Sequence, residues 1–108
     1  MAQLDLLPGT LDLLVLKTLS HGSLHGYGIA QRLLQISGSA LQVGEGSLYP
    51  ALQRLLVNGW AEARWDQSET GRRARFYTLT AAGRKRLKEE EREFERMVVA
   101  IRLVLRAV

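Results

Sequence analysis

Cysteine is absent from the 108 residues, which excludes disulfides and thiolate metal sites and suits a reducing cytosol. Histidine is scarce. His21 and His25 flank a turn with no acid close in sequence, so helix-turn roles account for them better than a metal, and no cofactor is expected. The N-terminal Met-Ala-Gln-Leu-Asp lacks a basic region followed by an apolar run, so no secretory signal is read there and the cytoplasm is the expected location. No apolar run is long enough to cross a bilayer, since the most hydrophobic stretch, near the C-terminus, is interrupted by arginines. No nucleophile, base and orienting acid stand at a recognisable spacing, so an enzyme is not expected. What remains is one small domain with a modest core.

The formal net charge is +4 and the pI is near 10.0, a balance that favours a polyanionic partner once the charge is located. Residues 1–43 are neutral. Residues 44–83 carry five basic and four acidic side chains, and residues 84–108 carry eight and five. The sharper signal is local: Arg72, Arg73 and Arg75 fall within four residues with no acid between them.

Residues 44–60 read as a short helix with a start and a stop. Ser47 is the expected N-cap, which puts Pro50 in the first turn, and Gly59 follows the last turn. At 100° per residue, Leu48, Leu52, Leu55 and Leu56 share one arc. Gly46, Ser47, Pro50, Gln53, Arg54 and Val57 point the other way. The same pattern suits an ordinary amphipathic surface helix, but Gln53 and Arg54 are types that pair with base edges.

Upstream, Pro8-Gly9-Thr10 should open a first helix capped by Thr10 and running to about Ser20. It is apolar on two sides, with Leu11, Leu14, Val15 and Leu19 on one arc and Leu13 and Leu16 on the other. One of those faces is expected to meet another subunit. Residues 26–37 form a second helix that packs through Ile29, Leu33 and Ile36. Downstream the period changes to alternation. Ala61, Ala63 and Trp65 share one strand face, residues 74–79 form a second strand, and the two make a hairpin whose polar connection carries the arginine cluster. Arginine there suits phosphate or minor-groove contact, although a solvated loop has the same composition. Thr80 caps a last helix of about 27 residues, roughly 40 Å long, more than the domain can cover. Its stripe of Phe94, Met97, Val98, Ile101, Val104, Leu105 and Val108 calls for a partner helix, most simply in a homodimer.

Leu48-Tyr49-Pro50-Ala51-Leu52, Gly59-Trp60, Gly71-Arg72-Arg73-Ala74-Arg75-Phe76-Tyr77, Leu79-Thr80-Ala81-Ala82-Gly83 and Leu24-His25-Gly26-Tyr27-Gly28-Ile29 occur in an order that resembles PadR-like winged-helix transcriptional regulators. The resemblance covers nearly the whole chain and suits the short subgroup with a single C-terminal dimerisation helix. Leu56 stands where that family often has an acid, and Ala61 where a larger aliphatic is usual. The resemblance implies a mainly α fold with a two-stranded β-wing, a winged helix-turn-helix over residues 1–79 and a dimerisation helix over 80–108 forming one compact unit with it. It also implies that some members sense a small hydrophobic or aromatic effector, for which this sequence assigns no residues.

Together these readings name Tyr27, Ser47, Tyr49, Pro50, Gln53, Arg54, Arg72, Arg73 and Arg75 as the DNA-contacting set. Leu13, Leu16, Phe94, Met97, Val98, Ile101, Val104 and Leu105 form the dimerisation set. The expected function is a homodimeric repressor on a palindrome-like site in double-stranded DNA. The competing reading is a winged-helix protein-interaction module that binds no DNA.

Overall fold

A computed structural model describes Leu6 and residues 9–107. Its elements are α1 (Thr10–Leu19), β1 (Leu24–His25), α2 (Gly26–Ile36), α3 (Glu45–Val57), β2 (Ala61–Gln67), β3 (Arg73–Leu79) and α4 (Ala81–Arg106). Thr10 is the first helical residue of α1 rather than its cap, because the chain enters through Gly9 in the left-handed region at φ 84°. Pro8, expected to open that helix, and Val108, expected to end the C-terminal stripe, lie outside the described residues.

Helix α1 is the centre of the molecule. It touches α2, α3, α4 and β3, and this explains why it is apolar on two sides. Both sides are used within the protomer. Leu16, assigned from sequence to a subunit interface, is 0% exposed in the core with Val15 and Leu19, so that assignment is corrected. Leu13 stays half-buried at the rim facing α4. The one buried polar side chain of α1, Thr18, satisfies its hydroxyl on the Leu14 carbonyl at 2.8 Å.

Helix α2 is capped by His25, whose Nδ1 accepts from the Gly28 amide at 2.9 Å. Ile29 and Leu33 enter the core, but Ile36, expected beside them, is 67% exposed because the last residue of α2 overhangs the packed layer. Helix α3 ends in paired 6→1 and 5→2 hydrogen bonds, Trp60 N–H to Leu55 O at 2.9 Å and Gly59 N–H to Leu56 O at 3.1 Å. This closure needs a left-handed residue after the helix. Gly59 supplies it at φ 73°.

The hairpin forms as expected, with Ala61 opposite Leu79, Trp65 opposite Arg75 and Gln67 opposite Arg73. The sheet is larger than two strands. The two residues of β1 pair antiparallel with β3, Leu24 opposite Tyr77 and His25 opposite Phe76, giving the order β1-β3-β2. Two residues carry no alternation, so this strand left no mark on the sequence pattern. Ala61, Tyr77 and Leu79 sit in the core at the inner end of the hairpin, and the outer end runs beyond it.

Thr80 caps α4 as expected, accepting from Gly83 N–H at 3.0 Å and donating to Gly59 O at 2.7 Å. At Gly83 the helix passes so close to β2's approach that a Cβ would collide with the Trp60 carbonyl and stand 2.7 Å from Leu79 Cδ1. Leu87 is the last α4 residue that the core buries. Beyond it the helix projects, stretching the molecule to 58 × 34 × 22 Å.

Candidate nucleic-acid interface

Burial of Leu48, Ala51, Leu52 and Leu55 fixes the rotation of α3. At 100° per residue the outward line is then Gly46, Pro50, Gln53 and Val57, all exposed, with Tyr49 on one flank and Ser47 and Arg54 on the other. The helix starts earlier than the sequence suggested. Gly44, not Ser47, is its N-cap, and no side chain caps it. Pro50 therefore sits in the helix interior, where its missing N–H leaves the Gly46 carbonyl without the usual i+4 donor. On the outward line the Gln53 amide can both donate and accept.

Arg54 is engaged elsewhere. Its guanidinium grips Asp12 of α1 as a fork, Nε to Oδ2 at 2.9 Å and Nη2 to Oδ1 at 2.7 Å. The hydrogen bonds to Asp12 raise the Arg54 pKa above its ordinary value. Arg54, expected from sequence to read a base edge, thus clamps α1 to α3 in the protomer while its side chain stays half-exposed. Nothing in the local spacing signals it, because the two residues lie 42 positions apart.

The two tyrosines of the predicted set gather at the N-terminus of α2. The Tyr49 ring lies over Gly26, where an added Cβ would meet its hydroxyl at 3.3 Å, so the buried Gly26 lets α3 approach α2. Tyr27, 70% exposed, accepts a hydrogen bond from Gln31 Nε2 at 2.8 Å.

At the wing tip the chain turns through Ser68, whose amide donates to Arg72 O at 2.7 Å, while Gly71 N–H donates to Ser68 O at 2.9 Å. Arg72 lies in this turn, and Arg73 and Arg75 follow on β3. The latter two share a strand face with Trp65. The Arg73 guanidinium lies 5.5 Å from the Trp65 ring centre, and that of Arg75 lies 5.8 Å from the Tyr77 ring. The acids of the hairpin strands, Glu62 and Asp66, point to the opposite face, where Asp66 pairs with Arg64 at 3.8 Å. Among the described residues no carboxylate pairs with Arg72, Arg73 or Arg75. Sequence reasoning singled out these arginines but missed Trp65 as the partner of Arg73. The alternation that put Ala61, Ala63 and Trp65 on one face was the signal available.

The projecting part of α4 carries Phe94, Met97, Ile101, Val104 and Leu105 exposed, with Val98 half-exposed and Val99 and Leu103 exposed on the other side. Where α4 leaves α1, Leu13, Leu14, Lys17, Glu91, Phe94 and Glu95 line a notch of about 180 Å³, bridged by the Lys17–Glu91 ion pair at 3.4 Å. Among the described residues no helix is long and apolar enough to cross a membrane.

Comparison with known proteins places this arrangement among regulators. The model of the transcriptional regulator PadR-like family matches residues 15–89. A transcriptional regulator from Clostridium thermocellum superposes with a TM-score of 0.80 at 29% identity, covering 87% of this chain and 91% of that one. PadR of Bacillus subtilis, solved in complex with operator DNA, superposes with a TM-score of 0.65 at 28% identity, covering 74% of this chain and 46% of that one. A 37.1 kDa protein in a transposon of Streptomyces fradiae is 41% identical over 86 residues, 80% of this chain but 23% of that protein.

Proposed function

The chain belongs to the PadR-like family of transcriptional regulators, and on that premise we propose that it is a sequence-specific DNA-binding repressor acting as a homodimer on a palindrome-like operator. The observation that carries the reading is the pairing of an open α3 face, Gly46, Pro50, Gln53 and Val57, with a wing on which Arg72, Arg73 and Arg75 lack carboxylate partners among the described residues. Similarity to a relative solved on operator DNA supports it. In this reading α3 enters the major groove, where Gln53, Pro50 and Ser47 face base edges and Tyr27 and Tyr49 face the backbone. Arg72, Arg73 and Arg75 neutralise phosphates or enter the flanking minor groove.

Residues 1–79 then form the DNA-binding unit and residues 80–108 the dimerisation helix, with Leu13 and the exposed stripe of α4 at the interface. The notch of about 180 Å³ between α1 and α4 is smaller than the ~300 Å³ at which ligand pockets usually begin, so a small hydrophobic or aromatic effector seated there would need walls from the partner. The cytoplasm is where such a regulator meets its operator.

Selection of bound sequences from a random duplex pool, followed by salt titration on the selected duplex, tests the function. Each phosphate contact contributes a slope of about −0.9 to log affinity against log salt, so a steep negative slope is expected. An adaptor that only binds proteins would yield no enriched sequence and no such slope.

A further inference from the structure

The wing sorts its side chains by face. Along the hairpin, Ala61, Ala63, Trp65 and Gln67 stand opposite Leu79, Tyr77, Arg75 and Arg73. This face holds no acid. At its inner end it is core, with Ala61, Tyr77 and Leu79 buried against the helices, so its outer end looks toward the same side as the helical layer once that layer has run out. There an indole 59% exposed to solvent lies beside the Arg73 guanidinium.

A phosphate contact needs only a flexible cation, whereas a guanidinium stacked on an indole has one face covered and its edge donors held in a fixed direction. Such an edge suits the floor of a minor groove, which offers only the adenine N3 and thymine O2 acceptors at A·T pairs and is obstructed by the guanine amino group at G·C pairs. A·T-rich tracts also narrow that groove and deepen its negative potential, which draws arginine in.

We propose that Trp65, with Arg73 stacked on it, forms a minor-groove subsite on the wing that selects A·T-rich sequence flanking the half-site, an inference that rests on the DNA-binding reading above. Trp65 is the platform that aims Arg73, and it packs against the sugar edge of the groove as the arginine enters.

The test uses the full chain and three duplexes sharing one selected operator core, with flanks of A·T, G·C or inosine·C pairs. Inosine·C keeps the major-groove identity of G·C but removes the amino group from the minor groove. The A·T and inosine·C flanks should bind alike and about tenfold tighter than G·C, the scale of one base-edge contact discriminating against the wrong pair. Trp65→Ala, Trp65→Leu and Arg73→Ala should each flatten this preference while still binding the core. Trp65→Leu keeps an apolar strand residue, so a shared result excludes a folding defect. In a Trp60→Phe background Trp65 is the only tryptophan, and its emission should change on binding the A·T-flanked duplex. Equal affinity for all three flanks, a preference that survives in the Trp65 variants, or unchanged emission overturns the proposal while leaving DNA binding intact. If no duplex is bound at all, the DNA-binding reading and this subsite fall together.

Discussion

Replacing Ile101 by glutamate puts a carboxylate in the middle of the apolar stripe of α4 and should separate the protomers. Phe94, Met97, Ile101, Val104 and Leu105 are between 45% and 77% exposed in the protomer. Fully burying such a side chain contributes about 1.5–3 kcal/mol, so covering the exposed part of five on each helix offers roughly 9–18 kcal/mol per dimer. Association costs about 4–15 kcal/mol in lost translation and rotation, which leaves a modest surplus. An uncompensated buried charge costs about 3–5 kcal/mol, and a twofold interface carries it twice. At mid-range values the surplus is about 4 kcal/mol and the penalty about 8 kcal/mol, so the dimer should be lost. In sedimentation velocity across a dilution series the wild type should be dimeric and the variant monomeric, with operator binding lost alongside. Ile101→Lys should behave the same way, since the cause is burial of charge rather than its sign. Because Leu87 is the last α4 residue in the core, the variants should keep the circular-dichroism signal of the folded domain. A variant that stays dimeric at every dilution refutes the placement of Ile101 in the interface.

Gln53→Ala removes the polar group at the centre of the outward line of α3, and should cost about 1–3 kcal/mol per half-site on the selected operator but little on scrambled duplex. Equal losses on both would move readout away from Gln53. Asp12→Ala and Arg54→Ala each break the α1–α3 clamp, worth about 0.5–1 kcal/mol after screening at a half-exposed arginine, and the double variant should be no less stable than either single one in urea. If Arg54→Ala instead lost affinity for the selected operator alone, with stability unchanged, the arginine would be a reader after all. Gly83→Ala forces a methyl into the Trp60 carbonyl, which is itself held by Thr80 N–H at 3.0 Å and cannot move away freely. Its overpacking penalty of about 1–3 kcal/mol exceeds the helix-propensity gain of about 1 kcal/mol at most, so the thermal midpoint should fall by several degrees. A midpoint that rises would show that α4 can slide on β2.

Where the four helices and the hairpin lie was legible from local pattern. The leucine spacing of residues 48–56, the glycine after Asn58, the alternation of Ala61, Ala63 and Trp65, and the Thr80 cap are all properties of a few neighbouring residues. The surplus length and one-sided stripe of the last helix likewise announced an arm without needing coordinates. Even the arginine cluster was visible, because three like charges in four positions are a local fact.

Partners across the chain were not legible, because nothing in a 42-residue separation records that Asp12 meets Arg54. The same holds for Leu16, which looked like a second face until α3 and α4 were seen to enclose α1 from both sides. The start of α3 moved from Ser47 to Gly44, whose carbonyl accepts from the Leu48 amide at 3.0 Å and so adds a turn ahead of a locally plausible cap. Strand β1 exists only because β3 offers it an edge. Side-chain period and capping chemistry act between neighbours in sequence, so the sequence determined the helices, the hairpin and their amphipathic faces. Which of those faces is closed within the protomer, and which is left exposed, was decided by the packing around α1.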